Sequence, residues 1–345
     1  MKRRYALIFL LLPVIVSAFI AIEKPSFFIP PNWPKPVYDF KKNPINTDVV
    51  ALGRVLFYDP LLSKDNSISC ASCHSNYNAF THVDHKLSHG IGDSIGTRNS
   101  PALMNLAWSS TFMWDGAINH LDMQALAPIT HPREMGESFT NVVEKLKKSK
   151  LYPTLFKTAF QDSIISGERT LKALSQFMLT LISANSKYDS VMNKQTLFTQ
   201  QENNGYRLFK KNCASCHQEP LFTNYTFKNN GLSVDPDLND YGRMRITELS
   251  EDSLKFKVPT LRNLTYSFPY MHDGRFKKLS EVMNHYVSGV QKSKTLSQEL
   301  AEPIHLSDNE KVDIVAFLLT LSDKQFVFNP NYAFPKEILL KAAND

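Results

Sequence analysis

Strong net charge, low-complexity tracts and clear strand patterns are all absent from this 345-residue sequence. The formal charge is +6, but Lys2, Arg3 and Arg4 belong to a leader, so the rest of the chain carries +3 (6 minus 3). A balance this weak, without basic clusters, excludes nucleic acid as an expected partner. With 43% hydrophobic residues, the chain can instead bury one large core or two medium ones.

Long apolar runs are missing except near the start. Three basic residues precede an apolar run over residues 5–22, which is typical of a secretory signal, with Val16-Ser17-Ala18 as small residues for cleavage. The run is also near the minimum length that spans a bilayer. We therefore expect residues 1–22 to be a signal peptide or an N-terminal anchor, and the protein to be periplasmic, either soluble after cleavage or anchored by residues 5–22. The leader contains no cysteine, which argues against a lipoprotein.

Cysteine is scarce, and its distribution is informative. The chain has four cysteines, all within two copies of the pentapeptide CASCH, at Cys70–His74 and Cys213–His217. Disulfides or a thioredoxin-like redox motif are alternatives, but C-x-x-C followed directly by His is the attachment signature of c-type haem. Cysteines at i and i+3 place both sulfurs along one side of a helical turn, and the following histidine offers its imidazole to iron. The expected haem-binding residues are Cys70, Cys73, His74, Cys213, Cys216 and His217.

The two motifs suggest an architectural repeat. GRVLF at Gly53–Phe57 precedes the first motif and GYRLF at Gly205–Phe209 the second, although Cys70 lies 13 positions after Phe57 and Cys213 only four after Phe209. Helical periodicity marks Phe139–Lys148, Thr170–Ala184 and Asp308–Leu321. We predict a mainly α fold with two cytochrome c-type domains, each holding a covalent haem c, and the haems facing a shared interface. The expected divisions are a Pro-rich strap (23–48), an N-terminal domain (49–192), a C-terminal domain (193–330) and a tail (331–345).

Eight segments in order make the chain resemble the bacterial dihaem cytochrome c peroxidase/MauG family. They are GRVLFYDPLLSKDNSISCASCH, GTRNSPAL, MWDG, PREM, GYRLFKKNCASCH, YGRMRIT, FKVPTLRN and PYMHDGRF. The resemblance implies that the N-terminal haem reacts with oxidant and the C-terminal haem transfers electrons. It also implies that Trp114 relays electrons between the haems. Glu134 and Gln124 match acidic and polar residues of the distal N-terminal pocket, where a carboxylate can take a proton from peroxide and return it to the leaving oxygen.

The same resemblance implies a calcium ion between the domains. Asn99, Ser267 and Pro269 match the calcium positions, the last two through backbone carbonyl oxygens, which suit a hard cation. His272 matches a pocket residue of the family, and its role stays open.

The chain departs from the family peroxidases at the first haem. Those enzymes carry a removable histidine ligand in a loop of pattern S-x-G-H-G, and here Ile91 stands at its position. His89 is an alternative ligand two residues earlier, while His85 and His82 lie further back. We expect a five-coordinate iron that binds oxidant without prior reduction.

A second departure concerns the other haem. The peroxidases place a methionine 14 residues after the HDG histidine, which is Tyr286 here, and MauG-type proteins ligate that iron with tyrosine. Met283, Met271 and His285 are nearby alternatives. A thioether favours Fe(II), whereas a phenolate oxygen favours Fe(III) and higher oxidation states.

Three functions follow from these features. The first is a peroxidase that reduces hydrogen peroxide, with electrons from a small cytochrome c or cupredoxin. The second is a MauG-like oxidase that holds oxidising equivalents on both haems and oxidises a partner protein. The third is a dihaem electron carrier, for which Glu134 and Gln124 would have no purpose. The sequence leaves a homodimer open.

Overall fold

The computed structural model describes residues 27–344 and is mainly helical, which confirms the predicted fold class. The helices are α1 (Thr47–Tyr58), α2 (Cys70–Cys73), α3 (Leu121–Gln124), α4 (Leu126–Thr130), α5 (Phe139–Lys148), α6 (Tyr152–Phe160), α7 (Gly167–Thr180), α8 (Lys187–Met192), α9 (Gln200–Asn212), α10 (Met244–Thr247), α11 (Leu279–Asn284), α12 (Asp308–Leu319), α13 (Lys324–Val327) and α14 (Lys336–Asn344). Strands β1 (Phe227–Lys228) and β2 (Phe256–Lys257) pair antiparallel, and a π-helical turn (His285–Gly289) follows α11. Short 3-10 turns occupy Pro60–Leu62, Asn76–Asn78, Ile91–Asp93, Leu106–Trp108, Ser250–Asp252 and Gln298–Leu300.

The first core forms where α1 crosses α7. The side-chain oxygen of Asn46 caps α1 by accepting from the backbone N–H groups of Asp48 and Val49. At the crossing, a Cβ on Gly53 would lie 1.9 Å from the carbonyl oxygen of Ala173. Glycine at this position therefore lets the two helix backbones touch.

The second core repeats this arrangement where α9 crosses α12. Capping boxes start both helices, with Thr199 and Glu202 on α9 and Ser307 and Glu310 on α12. A Cβ on Gly205 would lie 1.9 Å from the carbonyl oxygen of Asp313. Gly53 of GRVLF and Gly205 of GYRLF thus each allow two helix backbones to come into contact, which explains why both segments begin with glycine.

The three helices expected from periodicity are confirmed. The helix over Phe139–Lys148 has the predicted bounds, and the one predicted from Asp308 ends two residues earlier, at Leu319. The helix predicted over Thr170–Ala184 spans Gly167–Thr180, because Ser166 caps it by accepting from the Arg169 N–H. Its start is earlier because a capping serine, rather than the first apolar residue, sets the boundary.

The segments at the two ends of the described chain pack on the first core. Residues 27–46 contain no helix in the described structure, and the Trp108 indole N–H donates to the Pro34 carbonyl oxygen at 2.7 Å. At the other end, Phe326 and Val327 join the first core, although the sequence division placed them in the second domain. The Tyr58 hydroxyl donates to the Tyr332 carbonyl oxygen at 2.7 Å. The first and last segments of the described residues therefore pack on the same core.

The expected signal peptide or anchor (1–22) lies outside the described residues. Within residues 27–344, none of the helices combines the length and apolar character needed to cross a membrane.

Candidate dihaem active site

Both CASCH motifs form a helical turn. The His74 N–H donates to the Cys70 carbonyl oxygen at 2.9 Å, and the His217 N–H donates to the Cys213 carbonyl oxygen at 3.0 Å. None of the four cysteines is in a disulfide. Each turn therefore holds its pair of thiols and its histidine on adjacent positions, as thioether attachment and iron ligation require.

The two motif histidines present one nitrogen for iron. The Nδ1 atom of His74 lies 2.8 Å from the Phe80 carbonyl oxygen, and that of His217 lies 3.1 Å from the Phe222 carbonyl oxygen. A carbonyl only accepts, so Nδ1 must carry the proton, which leaves Nε2 unprotonated. Burial lowers the pKa of each imidazole to about 4, keeping both neutral at working pH. These residues fit a proximal haem ligand.

A cavity of about 630 Å³ joins the two turns. Cys73 and His74 line it from the first half, and Cys213, Cys216 and His217 line it from the second. Its volume lies within the range of cofactor sites. Cys70 is the one expected haem-binding residue outside the lining, and it packs against the first core. The cavity also brings together every other expected site residue: Glu134, Gln124, Trp114, Tyr286, Asn99, Ser267 and Pro269.

Glu134 and Gln124 both line the cavity, and Glu134 lies close enough to Cys73 of the first motif to affect the pKa of that thiol. Burial raises the pKa of Glu134 above its ordinary value, and the nearby His131, whose Nδ1 is 3.7 Å from Oε1, acts in the opposite direction. The Gln124 amide nitrogen lies 3.8 Å from the Met113 sulfur. A carboxyl group whose pKa is raised holds a proton more readily than an ordinary one, which suits proton donation to a leaving oxygen.

The loop that carries a histidine ligand in the family peroxidases is packed onto this same segment. The Ile91 N–H donates to the Glu134 carbonyl oxygen at 2.8 Å, and a Cβ on Gly90 would lie 2.1 Å from the Arg133 carbonyl oxygen. The His89 Nδ1 lies 2.9 Å from the Asp93 carboxylate. Neither Ile91 nor His89 lines the cavity. Ile91 therefore binds the Glu134 backbone without lining the cavity itself.

Trp114 has a structural counterpart that the sequence analysis missed. The loops Phe112–Ile118 and Tyr270–Phe276 each close with an antiparallel bridge between their end residues, and each has a second-position methionine and fifth-position glycine with positive φ. Trp114 and His272 each occupy the third position of their loop. The sequence signal for this equivalence is the similarity of MWDG to MHDG, which is only four residues long.

The two loops are bound by reciprocal contacts between the halves. The Asn99 N–H donates to the His272 carbonyl oxygen, and the Lys257 N–H donates to the Trp114 carbonyl oxygen, both at 2.7 Å. The Trp114 indole N–H donates to the Asn99 carbonyl oxygen at 2.8 Å. The indole is thus fixed where the two halves meet.

A buried charge cluster lies beside Trp114. Arg98 donates to Asp240 of the other half at 2.6 and 2.9 Å, and to Asp115 at 2.5 Å. This cluster, which the sequence analysis did not identify, joins the halves through two carboxylates and one guanidinium.

Tyr286 lies in the π-helical turn after α11, near the second motif. Burial raises its pKa to about 12, whereas the Asn230 side chain lowers it by hydrogen bonding. Its neighbour His285 is outside the cavity lining, with Nε2 3.0 Å from the Asn230 carbonyl oxygen. Met283 and Met271 also line the cavity, so Tyr286 is one of three candidate ligands there. A π-turn widens a helix locally and is frequent at functional sites.

The expected calcium positions, Asn99, Ser267 and Pro269, all line the cavity. The Asn99 amide nitrogen donates to the Lys86 carbonyl oxygen at 3.0 Å. The described residues contain no group of three His, Cys, Asp or Glu side chains able to hold a metal ion. A cation at this place would therefore depend on amide and carbonyl oxygens.

Comparisons with known proteins agree with this geometry. The model of the di-haem cytochrome c peroxidase family matches residues 47–197, and that of cytochrome c matches residues 202–322. The methylamine utilization protein MauG of Methylorubrum extorquens is 37% identical over 314 residues, which cover 88% of this chain and 85% of that protein. Cytochrome c peroxidase Ccp of Escherichia coli is 33% identical over 324 residues, covering 89% of this chain and 66% of that protein.

A solved structure shares the whole architecture. A MauG-like protein associated with microbial copper homeostasis superposes with a TM-score of 0.80 at 30% identity, covering 89% of this chain and 98% of that protein. The two cytochrome c-type domains and two haem c groups expected from the sequence are therefore confirmed. The chain belongs to the di-haem cytochrome c peroxidase/MauG family and is an oxidoreductase.

Proposed function

We propose that this protein reduces hydrogen peroxide to water at the haem held by Cys70, Cys73 and His74. The observation that carries the proposal is Glu134, a cavity-lining carboxyl group with a raised pKa beside the first motif. The haem supplies the redox change, because its iron can exchange the electrons that cleavage of the O–O bond requires. Two electrons and two protons then convert one peroxide into two waters.

Glu134 handles the protons in this scheme. Its carboxylate takes a proton from one peroxide oxygen and gives it to the other, which leaves as water. The Gln124 amide orients the peroxide by hydrogen bonding. The Ile91 N–H holds the Glu134 backbone, so the carboxyl group keeps its position during turnover.

Electrons enter at the second haem, held by Cys213, Cys216 and His217, from a small cytochrome c or cupredoxin. Trp114 carries them across the interface, since its part-buried indole lies where the halves meet and donates a hydrogen bond to the Asn99 carbonyl oxygen. We place the peroxidatic domain at 49–192, the electron-transfer domain at 193–330, and the protein in the periplasm. The first iron is five-coordinate in this proposal, which is supported by the position of His89 outside the cavity lining.

The decisive assay is peroxide-dependent oxidation of reduced cytochrome c, with and without prior half-reduction of the enzyme. We expect turnover without pre-reduction, and a loss of about 10²–10⁴-fold in Glu134→Gln. Glu144→Gln, an exposed change on α5, is the matched control and should keep full activity. Full activity of Glu134→Gln with normal haem content would overturn the proposed role. An absolute need for pre-reduction would instead assign a removable ligand to the first haem.

A second candidate function is peroxide-driven oxidation of a partner protein. It is favoured by Tyr286, which lines the cavity at the second motif, because a phenolate ligand stabilises oxidised iron. One equivalent of peroxide without donor should then leave two oxidising equivalents that added ferrocyanide titrates minutes later. Their loss in Tyr286→Met would support this function, and immediate decay in the unsubstituted protein would exclude it.

We also propose calcium at Asn99, Ser267 and Pro269. Metal analysis after dialysis should find one calcium per chain, and Asn99→Leu should abolish it. Retention of calcium by that variant would place the ion elsewhere.

A further inference from the structure

Among the described residues, Lys257 lines the cavity without forming an ion pair, and the nearby Asp115 acts on its charge only from beyond ion-pair distance. The Lys257 ammonium donates to the Thr111 carbonyl oxygen and lies 5.6 Å from the centre of the Phe112 ring. The half-buried Arg98 and the buried Arg262 differ, because carboxylates neutralise both. A buried cation normally has such a partner.

A second group at the same place lacks a partner. The Thr111 hydroxyl oxygen is the one buried side-chain polar atom without a hydrogen bond in residues 27–344. Thr111 and Lys257 both line the cavity that joins the two CASCH turns. A buried hydroxyl without a hydrogen bond lowers stability, so a hydrogen-bonding group from a ligand is expected there.

We propose that Lys257 and Thr111 bind a propionate carboxylate of one of the haems. A carboxylate accepts from both groups at once, and it neutralises the lysine with charge-assisted hydrogen bonds. Each haem c brings two carboxylates into this cavity, and each needs a donor. The other lysine and the arginines that line the cavity already have acidic partners: Arg98 donates to Asp115 and Asp240, Arg245 lies 3.7 Å from Asp240, and Lys228 pairs with Glu299. This inference holds for either oxidation considered above, because both use the same two haems.

The position of Lys257 gives the contact a role in electron transfer. Its backbone N–H donates to the Trp114 carbonyl oxygen, so the propionate-binding residue and the indole are fixed to each other. Burial lowers the pKa of the Lys257 ammonium to about 7, and a bound carboxylate would restore the charged form. Lys257 is thus a positioning residue that also raises the reduction potential of its haem, because a nearby positive charge favours the reduced iron.

The test uses the holoprotein and follows both haems by spectroelectrochemistry and by the propionate bands in resonance Raman spectra. In Lys257→Met, one haem should lose reduction potential and show a shifted propionate band, whereas Lys257→Arg should retain most of the original values. Thr111→Val should shift the same propionate band with a smaller change in potential. Lys148→Met, an exposed change on α5, controls for loss of one charge.

Unchanged bands and potentials in both Lys257→Met and Thr111→Val would overturn the proposal. Equal shifts in the reduction potentials of both haems, of the size seen in Lys148→Met, would also overturn the proposal. If Lys257→Met does not incorporate haem, Thr111→Val decides alone, since it removes a hydroxyl and keeps the side-chain shape.

Discussion

Tyr286 is the residue whose chemistry separates the two haems. If its oxygen ligates the second iron, Tyr286→Phe should change only the signals of that haem and raise its reduction potential, because a hard oxygen donor to Fe(III) is lost. Electron paramagnetic resonance and spectroelectrochemistry measure both effects. Tyr206→Phe, in the same half but outside the cavity lining, should leave both haems unchanged. Unaltered spectra in Tyr286→Phe would remove Tyr286 as a ligand and favour Met283.

His89 is the residue that decides whether the first iron is open. Its imidazole is bound to Asp93 and its ring stacks on His85 at 4.3 Å, both outside the cavity lining. We therefore expect His89→Ala to keep the high-spin ferric signal of the first haem. His305→Ala, an exposed substitution, is the control. Conversion from a low-spin to a high-spin signal in His89→Ala would show that His89 ligates the iron.

Among the elements, the α9–α12 crossing depends on one glycine. Alanine is normally better than glycine inside a helix by about 1 kcal/mol. Gly205→Ala should nevertheless lower stability, because its Cβ would lie 1.9 Å from the Asp313 carbonyl oxygen, and overpacking costs about 1–3 kcal/mol. A fall in the holoprotein Tm is expected. Asn203→Ala, exposed on the same helix, should raise Tm or leave it unchanged, and a similar result for Gly205→Ala would contradict the packing argument.

Helix α8, which holds Asp189, and the KVPTLRN segment form another contact between elements. Arg262 is buried and donates to both Asp189 oxygens, at 2.8 and 2.9 Å. Asp189→Asn removes the charge that neutralises the guanidinium, so we expect a loss of about 3–5 kcal/mol in the free energy of unfolding. Denaturant unfolding measures it, with Asp237→Asn, exposed on the surface, as the control. A loss below 1 kcal/mol would show that the Pro220 carbonyl and aromatic contacts suffice for Arg262.

Local signals predicted the elements better than their contacts. The helix Phe139–Lys148 was readable because its apolar spacing and terminal lysines lie within ten residues. The CASCH turns were equally local. By contrast, the Asp189–Arg262 pair and the return of Phe326 to the first core join residues far apart in sequence, and no short pattern encodes such contacts. The Lys257–Thr111 pair was missed for the same reason.

At the scale of the whole molecule, the two halves meet in a pseudo-symmetric interface. Asn99 and Lys257 lie two residues before Pro101 and Pro259, and each donates its backbone N–H to the opposite loop, at His272 and Trp114 respectively. The two loops share a backbone conformation but differ in the side chain at the equivalent position. The indole of Trp114 lies on one side of the interface and the imidazole of His272 on the other, so the surroundings of the two similar haem-binding turns differ.

The Arg98–Asp240 pair should make the union of the halves sensitive to acid. Burial raises the pKa of Asp240, but hydrogen bonds from Arg98 outweigh it, so the net pKa is lowered. A lowered folded-state pKa means that the stabilisation is present above the unfolded value of about 3.9 and is lost as pH falls through the folded pKa. Arg245 lies 3.7 Å from the Asp240 carboxylate and adds a permanent positive charge. His272 adds another positive charge when its imidazole is protonated.

Asp240→Asn tests this linkage because it cannot titrate. At pH 7 the variant should lose about 1–3 kcal/mol, since Arg98 keeps its bond to Asp115. Between pH 5 and pH 3 its Tm should fall less than that of the unsubstituted protein, because the proton uptake at Asp240 is missing. Calorimetry of the holoprotein across this range measures both slopes, with Asp237→Asn as the surface control. If Tm falls equally steeply with pH in the unsubstituted protein, Asp240→Asn and Asp237→Asn, the acid sensitivity arises elsewhere. If the fall is shallower in Asp240→Asn alone, the acid sensitivity arises from the Arg98–Asp240 contact that joins the two haem-binding halves.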